Sequence, residues 1–105
     1  MRKVTRNEIN KNNMVALGYC QIQRVLDLFA DEYKIGYNTG VYGWNYDLYT
    51  INGVDIVTGY NVPYYNFSNE KIKKELITLE NEIKKNFDYS KNYEEYQKRF
   101  LEIFK

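Results

Sequence analysis

The most distinctive chemistry of the chain lies in residues 36–45, a stretch that carries no charge and contains three glycines. Glycine lets the backbone adopt positive φ angles and approach a ligand closely. Between the glycines stand amides, a hydroxyl and aromatic rings, which form hydrogen bonds and offer flat apolar faces. This pattern is suited to binding a nucleobase, a nucleotide or a partner's side chain. The candidate binding residues here are Tyr37, Asn38, Tyr42, Trp44 and Asn45.

The same stretch also has a structural interpretation. It can form a tight turn into a hairpin with its aromatic rings in the core, and a lone tryptophan such as Trp44 is highly buried on average. It is not a P-loop, because it lacks the lysine of that motif and does not lead into a helix. The binding and the structural interpretations both stay open at the level of sequence.

A second aromatic cluster surrounds the single proline, Pro63. Its members are Tyr60, Tyr64, Tyr65 and Phe67. The cluster is suited to stacking nucleobases or to anchoring a protein partner, since tyrosine is enriched at interface hot spots. A loop folded over a sheet is the alternative. We add Tyr60 to the candidate binding residues.

Little in the chain supports enzyme chemistry. It has no histidine and one cysteine, Cys20, which excludes an imidazole-based triad, imidazole metal ligands and the usual zinc clusters. Without a histidine to activate it, Cys20 is expected to be inert. Asp47 and Asp55 are the only charged residues from position 35 to 69, and a hairpin register places them on opposite faces, unlike a general acid and base pair. We therefore expect no catalytic residue, no metal site and no cofactor.

Charge is nearly balanced over the whole chain, with 15 Lys and Arg against 14 Asp and Glu and a net charge of +1. The balance excludes a strongly basic nucleic-acid arm as a property of the whole chain. No apolar run approaches the roughly 20 residues of a membrane helix, and no signal peptide opens the chain. These features predict a cytoplasmic protein without a membrane partner.

The centre of the chain predicts a β-hairpin. Asn52 and Gly53 lie between strand-like residues and both tolerate the positive φ angles of a type I′ turn. A two-residue turn pairs Ile51 with Val54, Tyr49 with Ile56, Asp47 with Thr58 and Tyr46 with Gly59. Because a lone hairpin is marginally stable, we expect a third strand from residues 37–42, or helices on the faces of the hairpin.

Charged segments on both sides of the hairpin predict helices. The expected helices cover residues 6–12, 19–30 and 72–87, and a last helix is capped by Asn92. Residues 72–87 carry the clearest apolar stripe, made of Ile72, Leu76, Leu79, Ile83 and Phe87. Their charged neighbours, Glu80 included, are expected in solvent. Residues 14–17 are interpreted as a short buried connection or the first turn of the next helix.

The chain is predicted to form one α+β domain over residues 1–105. Helices fill residues 1–34, the aromatic and glycine-bearing hairpin region fills residues 35–67, and two helices fill residues 68–105. A small antiparallel sheet built on the Asn52–Gly53 turn is expected at the centre.

Three short motifs resemble a group of small proteins encoded by phages, plasmids and integrative elements of low-GC Gram-positive bacteria. They are Gly18-Tyr19-Cys20, Gly40-Val41-Tyr42-Gly43-Trp44-Asn45 with Asp47 and Tyr49, and Thr58-Gly59-Tyr60. The resemblance covers roughly residues 15–65. It implies accessory cargo of a mobile element, and such cargo often consists of anti-defence factors that include anti-CRISPR inhibitors.

The function expected from sequence is non-enzymatic binding that blocks a host protein or ribonucleoprotein, an anti-CRISPR-type inhibitor of a Cas effector being the concrete case. One alternative is a small-molecule or nucleotide binder that sequesters a defence signal through residues 36–45. Another is a single-stranded nucleic-acid binder that uses the aromatic segment, which the charge balance does not favour.

Overall fold

Four strands and three helical regions build the protein in a computed structural model that describes residues 13–18, 21–41, 44–59 and 69–105. The strands are β1 (Met14–Leu17), β2 (Lys34–Val41), β3 (Trp44–Ile51) and β4 (Val54–Thr58). They form one sheet in the order β1-β4-β3-β2. β1 runs parallel to β4, and the other neighbours are antiparallel. The expected α+β class is confirmed, although the sheet is mixed rather than wholly antiparallel.

The predicted hairpin is confirmed in its turn and in its register. Asn52 has a φ of 49° and Gly53 a φ of 80°, the left-handed region that a type I′ turn requires. Ile51 pairs with Val54, and the pairing continues without a shift to the end of β4. The side-chain amide of Asn52 donates a hydrogen bond to the backbone carbonyl of Phe104, which fastens the turn to the C-terminal end of the chain.

β1 is an element that the sequence interpretation missed. Its four residues, which were predicted to be a buried connection or a helical turn, are all buried and pair with β4 in the register Met14 to Asp55. A strand covered on both faces lacks the alternation of apolar and polar residues, so a short apolar run does not distinguish strand from helix. The predicted helix at residues 6–12 lies outside the described residues.

The N-terminal helical region begins later than predicted and changes geometry along its length. α1 (Gln23–Val25) continues as a π-helical turn over Leu26–Ala30 and a 3-10 turn over Asp31–Tyr33. The amide of Asp31 donates to the carbonyl of Leu26, five residues earlier. Four apolar residues at helical spacing in this region are buried, namely Ile22, Val25, Leu26 and Phe29.

Two long helices follow the sheet. α2 (Glu70–Asn86) is capped by Asn69, whose side chain accepts from the amide of Ile72 at 3.2 Å. α3 (Tyr89–Ile103) is capped by Asp88 and starts before the predicted cap, Asn92. Asn92 has a non-helical φ of −133° and accepts a hydrogen bond from the amide of Asp88, so it marks an irregular turn inside the helical stretch.

The core lies between one face of the sheet and the helices. Its sheet side consists of Val15, Leu17, Tyr49, Ile51, Val54 and Ile56. Its helical side consists of the stripe predicted on α2, from Ile72 to Ile83, and of Tyr96, Phe100 and Phe104 on α3. Met14, Ala16, Leu48 and Val57 alternate with the core residues along their strands and are also buried. Both faces of the sheet are therefore covered at the β1–β4–β3 side.

Glu80 was predicted to lie in solvent, and this prediction is wrong. Its side chain is 1% exposed, and Oε1 accepts a hydrogen bond of 2.9 Å from the amide of Val25. The N-cap residue of α1, Ile22, makes no side-chain capping bond. Glu80 therefore caps α1 from α2, and the free amides and positive dipole at the helix start favour a carboxylate there. The ammonium of Lys84 lies 3.7 Å from the other oxygen.

Replacing Leu79 by alanine tests the packing of α2 on the sheet. Leu79 is 2% exposed in the core, so Leu79→Ala is expected to lower the free energy of unfolding by about 2–5 kcal/mol. Its exposed neighbour provides the control, since Thr78→Ala should change that free energy by less than about 0.5 kcal/mol. Urea denaturation measures both variants. Equal stabilities would mean that this face of α2 does not contact the core.

The capping role of Glu80 predicts a difference between two substitutions. Glu80→Ala leaves the buried amide of Val25 without an acceptor and should cost at least about 1–3 kcal/mol of unfolding free energy. Glu80→Gln keeps a carbonyl oxygen in reach of the amide and should recover a large part of that loss. Glu75→Ala, at an exposed site of the same helix, is the control. Equal losses for Ala and Gln in urea denaturation would contradict the capping bond.

Candidate functional site

The structure places four of the six candidate binding residues on one pair of strands. Tyr37 and Asn38 lie on β2, and Trp44 and Asn45 lie at the start of β3. We call residues 34–41 with 44–51 the β2–β3 arm. The other two candidates, Tyr42 and Tyr60, lie outside the described residues, as do Cys20 and the cluster around Pro63. The third strand expected from residues 37–42 is confirmed for its described part.

The backbone of the arm forms two paired strands. The binding interpretation had treated residues 36–45 as a glycine-bearing segment open to a ligand. Tyr37 pairs with Asp47, Asn38 pairs with Tyr46, and Val41 pairs with Trp44. Residues 36–41 and 44–45 therefore do not form an open phosphate-cradling loop. In the described part of the sheet β2 is an outer strand, so the arm lies at one edge of that sheet.

β2 is irregular at two places. Eight residues of β2, from Lys34 to Val41, lie opposite six residues of β3, and the register shifts between Lys34 and Gly36 and again between Asn38 and Val41. Each shift adds one residue to β2, which is the definition of a β-bulge. The first bulge leaves Ile35 60% exposed. Bulges of this kind bend and twist a strand and often occur beside functional surfaces.

A lysine and a half-buried aspartate lie close together at the base of the arm. The ammonium of Lys34 lies 4.0 Å from a carboxylate oxygen of Asp47 and 5.6 Å from the centre of the Tyr49 ring. Burial raises the pKa of the Asp47 carboxyl, Lys34 opposes that shift, and the charge of Asp31 adds to it. Asp47 pairs with Thr58 in the register expected from sequence. Its ion pair with Lys34 was not foreseen, because it depends on where β2 starts.

Asp55, the other carboxylate of the central segment, forms a hydrogen bond with a different strand residue. Asp55 is 6% exposed and accepts a hydrogen bond of 2.8 Å from the hydroxyl of Thr50, its cross-strand partner. Three positions separate Thr50 from Asp47 along β3, so the two carboxylates belong to opposite faces. The predicted placement of the two carboxylates on opposite faces is confirmed. Within the described residues no three His, Cys, Asp or Glu side chains gather into a possible metal site.

The helices form surface features that the sequence interpretation did not single out. A groove of about 530 Å³ runs between α2 and α3. Its lining residues are Lys74, Glu75, Thr78, Leu79, Arg99, Glu102 and Ile103. Arg99 forms an ion pair with Glu82 and lies 5.3 Å from the Tyr96 ring. Cations and carboxylates alternate around this groove, so it has no net preference for a ligand charge.

A pair of tyrosine rings marks the corner between α2 and α3. Tyr89 is 70% exposed, and its ring centre lies 4.9 Å from that of Tyr93. Phe87 contacts Tyr89 edge-on and continues the row of rings inward. Phe87 and Tyr89 stand on either side of Asp88, where α2 ends and α3 begins. Two aromatic residues this close together in the sequence were the signal that could have indicated this corner.

Comparison of the chain with protein-family models, with curated proteins and with solved structures finds no match. Among the described helices, none has the length and the apolar character that a membrane span needs.

The electrostatics of the arm predict an unusual pH response for Asp47→Asn. A pKa that folding raises means that the folded state binds the proton more tightly, so this group favours folding at low pH and loses that effect as the pH rises through the raised value. At pH 7 the ionised carboxylate is therefore unfavourable, because burial outweighs the attraction of Lys34. Asp47→Asn should have a higher urea midpoint than the wild type at pH 7, and the difference should narrow toward pH 3.

Glu94→Gln provides the control for charge removal, because Glu94 is exposed on α3. Its urea midpoint should follow the wild type at both pH values. A lower midpoint for Asp47→Asn at pH 7 would show that the ion pair with Lys34 dominates over burial.

Proposed function

We propose that the protein is a non-enzymatic inhibitor that binds a host protein or ribonucleoprotein through the β2–β3 arm. The observation that carries the proposal is the position of Tyr37, Asn38, Trp44 and Asn45 on two adjacent strands at one edge of the sheet. Tyrosine and tryptophan bury a large area and lose little rotamer freedom on contact, and they supply much of the energy of protein interfaces.

Charge at the arm favours a protein surface over nucleic acid as the partner. From position 35 to 69 the only charged residues are Asp47 and Asp55, both negative. Within the part of the chain that the structure describes, Lys34 is a cation at the base of the arm, and its ammonium lies beside Asp47. Proteins that bind nucleic acid gain a large part of their affinity from Lys and Arg contacts to phosphate, and this segment contributes none.

The class of partner rests on the resemblance to proteins of phages and mobile elements. Cargo of that kind commonly acts on the defence systems of the host, in the cytoplasm. An anti-CRISPR-type inhibitor that occludes a Cas effector is the concrete form of the proposal. The exposed apolar side chain of Ile35, on the same strand as Tyr37, adds a contact that a protein partner can bury.

Phage plating on a CRISPR-immune host tests this function. The wild-type protein, expressed in a low-GC Gram-positive strain that carries active CRISPR–Cas immunity, should restore plating of the targeted phage. Tyr37→Ala should lower the affinity for the purified effector by more than about tenfold, or about 1.4 kcal/mol. The double variant Lys73→Ala with Lys74→Ala should lose less than about 0.5 kcal/mol, because exposed lysines contribute little.

A second control separates the arm from the other exposed aromatic site. Tyr89→Ala removes a ring of the same type at the α2–α3 corner and should leave both plating and effector binding unchanged. No protection against any CRISPR–Cas type, together with no effector complex, would contradict the inhibitor. Binding that falls steeply with salt and depends on the lysines would instead indicate phosphate contacts and a nucleic-acid ligand.

A further inference from the structure

The two bulges of β2 enclose a short segment of regular strand. Gly36, Tyr37 and Asn38 pair in order with Leu48, Asp47 and Tyr46, while Lys34 and Val41 pair on the far sides of the bulges. Each bulge holds one residue that has no partner of its own on β3. Two extra residues therefore lie between Lys34 and Val41, one in each bulge.

We propose that residues 36–38 slide by one position along β3, so that β2 exists in two registers. In the second register Ile35 pairs with Leu48, Gly36 with Asp47 and Tyr37 with Tyr46. The first bulge disappears, and its extra residue moves to the bulge between Asn38 and Val41. The pairs of Lys34 with Tyr49 and of Val41 with Trp44 stay in place, so no part of the chain outside the arm has to move.

Three observations make the second register accessible. Ile35 is 60% exposed in the first register, and pairing with Leu48 gives this apolar side chain a neighbour that is 6% exposed, which favours burial. Glycines at positions 36 and 40 lie beside or within the bulges, and glycine has no side chain to reorient when a bulge forms. Lys34, which pairs with Tyr49 and lies 5.6 Å from the centre of its ring, keeps its partner in both registers.

The rest of the sheet does not share this freedom. β3 and β4 pair without a shift from Asp47–Thr58 to Ile51–Val54, and the tight turn fixes that register. β1 pairs with β4 without a shift as well. The two registers are therefore a property of β2 alone among the described strands.

The slide changes which residues the arm presents. Because side chains alternate between faces, a one-residue shift moves every side chain of the shifted segment to the opposite face. Positions 37 and 38 belong to the shifted segment, and positions 44 and 45 on β3 do not. The arm thus has two distinct surfaces in equilibrium, and a ligand that binds one of them selects its register. This inference concerns the strand itself and does not rest on the proposed function.

Disulfide trapping distinguishes the two registers. In a Cys20→Ser background, Tyr37→Cys with Asp47→Cys should close in the observed register, and Tyr37→Cys with Tyr46→Cys should close in the second. Cross-strand partners meet the distance that a disulfide needs, whereas residues one position out of register point to opposite faces. Mass spectrometry of the folded protein in a glutathione buffer measures the fraction closed.

An off-register pair in the fixed part of the sheet provides the control. Asp47→Cys with Val57→Cys is displaced by one position in the β3–β4 pairing, as Tyr37 and Tyr46 are in the observed β2–β3 pairing. Closure of the Tyr37–Tyr46 pair to an extent at least about tenfold above this control supports the slide. Closure no greater than the control overturns it.

Nuclear magnetic resonance tests the unmodified protein, where no cysteine can bias the register. Chemical-exchange saturation transfer should show a minor state at residues 35–38 and 46–48 with one common exchange rate, and none at residues 54–58. Exchange that is absent from residues 35–38, or that extends equally into β4, overturns the slide even if the disulfide forms.

Discussion

A single buried carboxylate, that of Glu80, joins two of the helices that cover the sheet. The bond from the amide of Val25 to Glu80 joins α1 to α2 at a point where α1 has no cap of its own. From that point the chain passes through the π-helical and 3-10 turns directly into Lys34, the first residue of β2. Nine positions separate Val25 from Lys34, so the bond to Glu80 holds the chain at the beginning of the helical region that leads into β2.

The sequence was informative wherever one local rule decided the structure. Asn52 and Gly53 specify their turn by backbone preference alone, and the turn then sets the whole β3–β4 register. The apolar stripe on α2 was equally clear, because a helical period that holds for four turns is not compatible with a strand. Glu80 shows the limit of the same rule. Glu80 is buried because it accepts a hydrogen bond from the amide of Val25 on α1. The periodicity of α2 contains no information about an amide on another helix.

The candidate site was identified as a segment but not as a structure. Residues 36–45 stood out by composition, and four of the six chosen residues occupy adjacent strands. The two bulges could not be predicted from the sequence. A bulge is defined by the pairing of two strands, so the sequence of one strand does not reveal it. The glycines did not identify the bulges either, because glycine is common at turns, at bulges and where the backbone approaches a ligand closely. The contact of Lys34 with Asp47 has the same origin, since it exists only once the register of β2 is set.

The parallel pairing of β1 with β4 has a consequence for the order of folding. Met14 pairs with Asp55, so β1 leaves the ribosome well before its partner. At a synthesis rate of about 5–20 residues per second, the delay between them is of the order of seconds. The β3–β4 hairpin and the α2–α3 pair form from near neighbours, whereas β1 has to close a long loop. The four apolar residues of β1 therefore remain without their partner strand in the nascent chain. Of the four described strands, the one synthesised first is expected to join the sheet last.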